Sequence, residues 1–155
     1  MIFVTLGSQK FQFDRLLQAV DELKTDEEIF AQIGYSNYEP QNYEYKKFLD
    51  RDEFENVMDK ADIVITHGGT GAIIGAVKKG KKVIAVPRLK KYGEHVDDHQ
   101  LQLVEQFKDL NLICACKNVD KLDEAVKIVQ RTKYSCYQSN TFNIIQNIDN
   151  YIKDI

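Results

Sequence analysis

Apolar residues fall along this chain in two rhythms. Ile2 to Leu6, Ile29 to Ile33, Ile63-Val64-Ile65 and Val83 to Val86 are short continuous runs, the pattern of strands buried on both faces of a parallel sheet. Phe13, Leu16, Leu17, Val20 and Leu23 instead recur at helical spacing. So do Phe54, Val57 and Met58, in a helix that Asp52 is expected to cap and that runs to about Lys60. Ala72 to Val77 predicts a helix stopped by Gly80, and Pro87 ends the strand after it. Val96 to Phe107 predicts a further helix with Leu101, Val104 and Phe107 inward. Leu112 to Cys116 reads as a strand, and Asp120 as the start of a helix carrying Leu122, Val126 and Val129. Tyr35 to Tyr45 is polar and tyrosine-rich, a loop leading into a short strand near Tyr43 to Phe48. In the tail, Phe142, Ile144, Ile145, Ile148, Tyr151 and Ile152 form a helical stripe whose apolar face needs a partner.

Strands alternating with helices predict an α/β fold: a Rossmann-like single domain over residues 1–155, with a mostly parallel sheet flanked by helices. Ligands of such sheets bind beyond the carboxyl ends of the strands. The turns after Leu6, Thr66 and Val86 should then converge on one crevice.

The second of those turns is His67-Gly68-Gly69-Thr70-Gly71, set between a strand and a helix. Glycines there allow a tight turn and close packing. They also expose unpaired N–H groups at the positive end of a helix, which suits phosphate. His67 can bond to backbone, or as an imidazole N–H or imidazolium it can bind an oxyanion. The Gly75…Gly80-Lys81 spacing does not make a P-loop, because Lys82 stands where Ser or Thr is needed and a strand follows.

A length of 155 residues with 43% apolar and 29% charged positions is ordinary for a soluble globular protein. The net charge of -3 argues against general nucleic-acid binding. No run approaches a membrane span and no signal-peptide pattern opens the chain, so a cytoplasmic protein is expected. Cys114, Cys116 and Cys136 lack metal or redox spacing and are expected as free thiols. Lys78, Lys79, Lys81, Lys82, Arg88, Lys90 and Lys91 form a basic run with no acid between them. It is either a solvated face or, in part, a contact for diphosphate or an anionic membrane.

The densest polar cluster is Glu94-His95-Val96-Asp97-Asp98-His99-Gln100. His95 and His99 share a helix face if the helix begins that early. Three uses are open: a capped helix start with solvated acids, a metal site with an Asp or His67 as further ligand, or a set of groups gripping ribose or sugar hydroxyls.

IFVTLGSQKFQFDRLL, ADIVITHGGTGAIIGAVKKGKKVIAVPR and VPRLKKYGEHVDDHQ together resemble the short catalytic subunits of two-component bacterial capsular and exopolysaccharide glycosyltransferases. That family is similar to the donor-binding C-terminal half of GT-B enzymes of family 28. The resemblance runs from Met1 to about Leu112. It implies a UDP-sugar donor, with Gly7 and Ser8 near the diphosphate and His67, Gly68, Gly69, Thr70 and Gly71 cradling phosphate. It places Pro87 and Arg88 beside the nucleotide, and Glu94, His95, Asp98, His99 and Gln100 at sugar or ribose hydroxyls. His67 and His95 are the candidate catalytic groups, and no metal or other cofactor is expected. The implied partners are a lipid-linked saccharide acceptor and a membrane-associated subunit carrying the acceptor lobe, which recruits the chain to the inner face of the membrane. Related helices often carry an acid where this chain has Gly75. A non-catalytic enhancer subunit, or a metal hydrolase built on His95 and His99, are the alternatives.

Overall fold

The computed structural model describes residues 1–136. Six strands form one sheet: β1 (Ile2–Thr5), β2 (Ile29–Gln32), β3 (Glu44–Lys46), β4 (Ile63–His67), β5 (Lys82–Val86) and β6 (Cys114–Ala115). Five helices accompany them: α1 (Asp14–Asp21), α2 (Arg51–Lys60), α3 (Thr70–Lys78), α4 (His99–Asp109) and α5 (Leu122–Arg131). All pairings are parallel, and the order across the sheet is β3-β2-β1-β4-β5-β6. The chain therefore builds outward from β1, returns to lay β4 on its other side, and continues outward. The reversal between β1 and β4 is where sheets of this kind open a crevice at their carboxyl end.

Both sheet faces are covered, which explains the unbroken apolar runs. Ile2, Val4, Ile63, Ile65, Ile84 and Val86 point to one face and meet Leu16, Leu17 and Val20 of α1 and Leu122, Val126 and Val129 of α5. Phe3, Val64, Val83 and Ala85 point to the other, against Met58 of α2, Ile73 and Val77 of α3 and Phe107 of α4. A one-residue slip of any central strand would exchange these two sets.

Several boundaries differ from expectation, each for a local reason. Asp50, not Asp52, caps α2, accepting from the Glu53 N–H at 2.8 Å, while Asp52 and Glu53 sit in the first turn. α3 ends in a Schellman motif: Gly80, at φ +73°, donates to Val77 at 3.0 Å and Lys81 donates to Ala76 at 3.2 Å. α4 starts at His99 rather than near Val96, which is 64% exposed and so gains little by joining the helix's inward face. His95 therefore precedes the helix and does not share a helix face with His99. Asp120 lies inside a short 3-10 turn, Val119–Lys121, that Asn118 caps, and α5 follows from Leu122. The tyrosine-rich loop is gathered by Asp21, whose carboxylate accepts from the Tyr38 hydroxyl at 2.5 Å and from the Gln41 and Asn42 N–H groups.

The basic run is split between the two ends of the sheet. Lys79 pairs with Glu55 and Asp59, and Lys82 donates to the carbonyls of Gln130 and Thr132, all near the amino end of β5. Only Arg88, Lys90 and Lys91 follow its carboxyl end. The stripe from Phe142 to Ile152 lies outside the described residues. Among the described residues Cys114, Cys116 and Cys136 are free thiols, and burial pushes the Cys116 thiol up to about 11.

Candidate functional site

β4 is buried throughout and stops at His67, where two glycines turn the chain into α3. Gly69 occupies the N-cap and supplies no side-chain cap. The N–H groups of Thr70, Gly71 and Ala72 thus have no carbonyl to bond within the helix. A Cβ on Gly71 would meet nothing within 4 Å, so the first turn of α3 has open space beside it at that position. Donors aligned at the positive end of a helix, with room in front, are what an anion requires.

The other glycines serve the protein's own side chains. Gly7 has φ +73°, and a Cβ there would lie 2.6 Å from Nε2 of His67. A Cβ on Gly69 would overlap the same imidazole, and one on Gly68 would come within 2.9 Å of Gln100 and Val104. The Gly68 N–H is also spent, donating to Oε1 of Gln100 at 3.0 Å. Gly68 and Gly69 therefore house His67 and Gln100, and the open donors begin at Thr70.

His67 is 6% exposed. Burial, reinforced by the Arg88 charge, lowers its pKa to about 3, so the imidazolium expected as one possibility does not form near neutral pH. Nδ1 lies 3.3 Å from Nε2 of Gln100. An amide nitrogen can only donate there, which leaves the ring proton on Nε2, facing Gly7.

The three turns are locked together by buried polar groups. Arg88 is 1% exposed, and its guanidinium donates to the carbonyls of Leu6 (2.7 Å), Phe11 (3.2 Å), Gln12 (3.5 Å) and Glu94 (3.4 Å) while lying over the Phe13 ring. Burial lowers its pKa to about 10, still charged at neutral pH. Glu94 accepts a fork from Arg15 (3.0 and 2.9 Å) and a third bond from the Leu89 N–H at 3.1 Å. Arg15 also donates to the carbonyl of the buried Pro87 at 3.2 Å. Gln100, 1% exposed, accepts from the N–H groups of Gly68 and Arg88. Glu94 and Gln100 were expected at sugar or ribose hydroxyls. Both are instead turned inward, because each answers buried donors that would otherwise be orphaned.

What remains at the surface of the crevice is a smaller set. Ser8, Gly71 and Asp98 are exposed, and Gly7, Thr70, His95 and His99 are partly so. The His95 and His99 rings lie edge to face, 4.9 Å apart, and Phe11 stands 5.6 Å from His95. Asp97 accepts from the His99 N–H at 3.1 Å and lies 2.5 Å from its Nδ1. Asp98 accepts from the Lys90 N–H at 2.8 Å. Arg15 and Gln9 were not among the sequence candidates. The Arg15–Glu94 pair joins residues 79 positions apart, so no local pattern announces it.

Two recesses lie away from this crevice. One, of about 600 Å³, lies near the amino end of β5 between Val77, Leu112 and Tyr134. The other, of about 660 Å³, lies between Arg15, Tyr92 and Asp120. Neither includes the α3 N-terminus, and size alone does not make either the site.

The chain is similar to the human "UDP-N-acetylglucosamine transferase subunit ALG13", 31% identical over 131 residues, which cover 75% of this chain and 11% of that protein. The Candida albicans protein of the same name is 28% identical over 88 residues, 57% of this chain and 28% of its own. The chain thus spans well under a third of the length of these curated relatives, and neither is a capsular or exopolysaccharide enzyme. Among solved structures, Acinetobacter baumannii MurG matches at TM-score 0.53 and 19% identity, over 99% of this chain and 49% of that one. The kitacinnamycin glycotransferase matches at TM-score 0.63 and 17% identity, over 99% of this chain and 39% of that one. At these identities the likeness establishes the fold, that of the Rossmann-like C-terminal lobe of GT-B glycosyltransferases. A model of the glycosyltransferase family 28 C-terminal domain matches residues 1–155, and the chain belongs to that family.

Proposed function

We propose that the chain is the donor-binding, catalytic subunit of a split inverting glycosyltransferase. It takes a UDP-sugar and passes the hexose to a polyprenyl-diphosphate-linked saccharide, in capsule or exopolysaccharide assembly. The observation that carries this is the N-terminus of α3, which has no side-chain cap and open space at Gly71, so that the N–H groups of Thr70, Gly71 and Ala72 are the proposed diphosphate donors. Bond breaking at the sugar carbon leaves charge on the departing diphosphate, and fixed dipoles there stabilise it without a metal. Neutral His67 contributes at most one N–H, and His95 and His99 are the residues proposed to meet the sugar. The relatives' name, UDP-N-acetylglucosamine transferase subunit, supports a UDP-linked donor and a partner.

The acceptor lobe and the base that deprotonates the acceptor hydroxyl belong to a membrane-associated partner in this account. No helix among the described residues is long and apolar enough to cross a membrane. The partner would hold the chain at the cytoplasmic face. Calorimetric titration of UDP and several UDP-sugars, with and without EDTA, tests the donor; transfer to a lipid-linked acceptor with and without the partner tests the split.

Gly75 favours a second reading, a non-catalytic enhancer subunit. It lies one turn after Gly71 on α3, is exposed, and offers no group to bond ribose. Tight partner binding without donor binding would select that reading.

A further inference from the structure

We propose that His95, Asp97 and His99 form a binding site for a divalent transition metal, separate from the α3 N-terminus. The ligand atoms of the three residues lie within 4.8 Å of one another. Both imidazoles turn Nδ1 toward one carboxylate oxygen, Asp97 Oδ1, at 3.2 Å from His95 and 2.5 Å from His99. A tetrahedral ion with bonds of about 2.0 Å needs its ligand atoms roughly 3.3 Å apart. His95 already stands at that distance, and Asp97, 57% exposed, is free to open the other by less than 1 Å. Two imidazoles and one carboxylate favour zinc-like ions over calcium or magnesium, which require oxygen shells.

Gln9 supplies a second, independent observation. Its amide stands 3.5 Å from Nε2 of His95, and its Oε1 is buried with no hydrogen-bond partner. Oxygen and nitrogen of an amide are placed by the surrounding network, so the amide can be turned. Turned, Oε1 accepts the Nε2–H of His95, and the amide nitrogen takes the oxygen's former place. The lone pair of His95 then sits on Nδ1, the atom facing Asp97 and the ion. A ligating histidine held from behind by an acceptor is how metal sites fix the tautomer. The helix begins only at His99, so His95 and Asp97 lie on the preceding loop and meet His99 at the helix start, without the spacing of a two-histidine helix.

Zinc titrated into the nucleotide-free protein, against a competing chelator, is expected to bind at one equivalent. Asp97→Asn keeps the acceptor for the His99 N–H but removes the charge, and it should weaken binding at least tenfold, as should His99→Ala. Cobalt should give visible d–d bands without the near-ultraviolet thiolate absorption that a site on Cys116 or Cys136 would show. EDTA should remove the metal yet leave UDP affinity unchanged, so this site and the proposed phosphate site at α3 fail separately. Zinc binding that survives both substitutions in folded protein, or thiolate absorption with cobalt, or no binding at one equivalent, would overturn the proposal.

Discussion

The two walls of the crevice are built on opposite principles. At the turn after β4 the side chains of His67 and Gln100 are buried and face the protein, and the unpaired main-chain N–H groups follow at the start of α3. In the stretch from His95 to His99 the Asp97 carboxylate looks outward beside two largely covered imidazoles, while the neighbours Glu94 and Gln100 hold the main chain of Leu89 and Arg88. Substitution therefore means different things on the two walls. On the first it tests packing unless the position is open, and Gly71 is open while Gly68 and Gly69 are not. On the second it tests side-chain chemistry most directly at Asp97, which is 57% exposed, while the more covered His95 and His99 also pack.

Arg88 joins the walls, and its loss should have the largest effect. Arg88→Met would leave the Leu6, Phe11 and Glu94 carbonyls without their buried donor. Each orphaned group costs about 1–3 kcal/mol, so urea denaturation should show stability falling by about 3 kcal/mol or more. A loss below 1 kcal/mol would mean the turns are held by packing alone.

Acid should strain the first wall next. The pKa of His67 falls from 6.5 in the unfolded chain to about 3 when folded, so the unfolded state binds the extra proton. Stability is then complete above about pH 6.5 and declines as pH drops toward 3. His67 should make the protein about 2 kcal/mol less stable at pH 5 than at pH 7, and His67→Asn should flatten that slope. An unchanged slope in the variant would place the burial elsewhere.

Gly69→Ala and Gly71→Asp separate packing from phosphate binding on one helix end. The first should cost about 1–3 kcal/mol of stability by crowding His67. The second puts an acid in open space at a helix N-terminus. It should leave stability level or raise it by about 0.3–1 kcal/mol, yet weaken UDP binding at least tenfold, roughly 1.4 kcal/mol.

On the other wall the smallest effect is expected. His99→Ala should alter discrimination among UDP-sugars by about 1 kcal/mol while sparing UDP itself. Gln100→Ala should instead lower stability, since the N–H groups of Gly68 and Arg88 lose their acceptor. Equal losses of UDP and UDP-sugar affinity in His99→Ala would move that residue from the sugar to the nucleotide.

What was legible in the sequence follows the same division. β1, β4 and β5 announce themselves as unbroken apolar runs because both sheet faces are covered, and Gly80 and Pro87 mark the stops that the structure shows. The Gly-rich turn and its place at the carboxyl end of the sheet were also readable. The start of α4 was not, since Val96 has the apolar character of a core position yet stands in solvent. Asp50 and Asp52 are equally good caps in sequence, and only the backbone chooses between them. Glu94 and Gln100 looked like exposed polar groups because their partners, Arg15 and the Gly68 turn, are distant in sequence. The neutrality of His67 depends on burial beneath Gly7 and Gly69, which no local pattern encodes.

The central claim is that main-chain donors at the N-terminus of α3 grip the donor diphosphate without a metal. Titrating UDP in EDTA against the native protein and Gly71→Asp, both checked for folding, tests it most directly. Saturable binding by the native protein and at least tenfold weaker binding by the variant is the predicted result. Equal binding by the two folded proteins, or native binding that vanishes in EDTA, would contradict it.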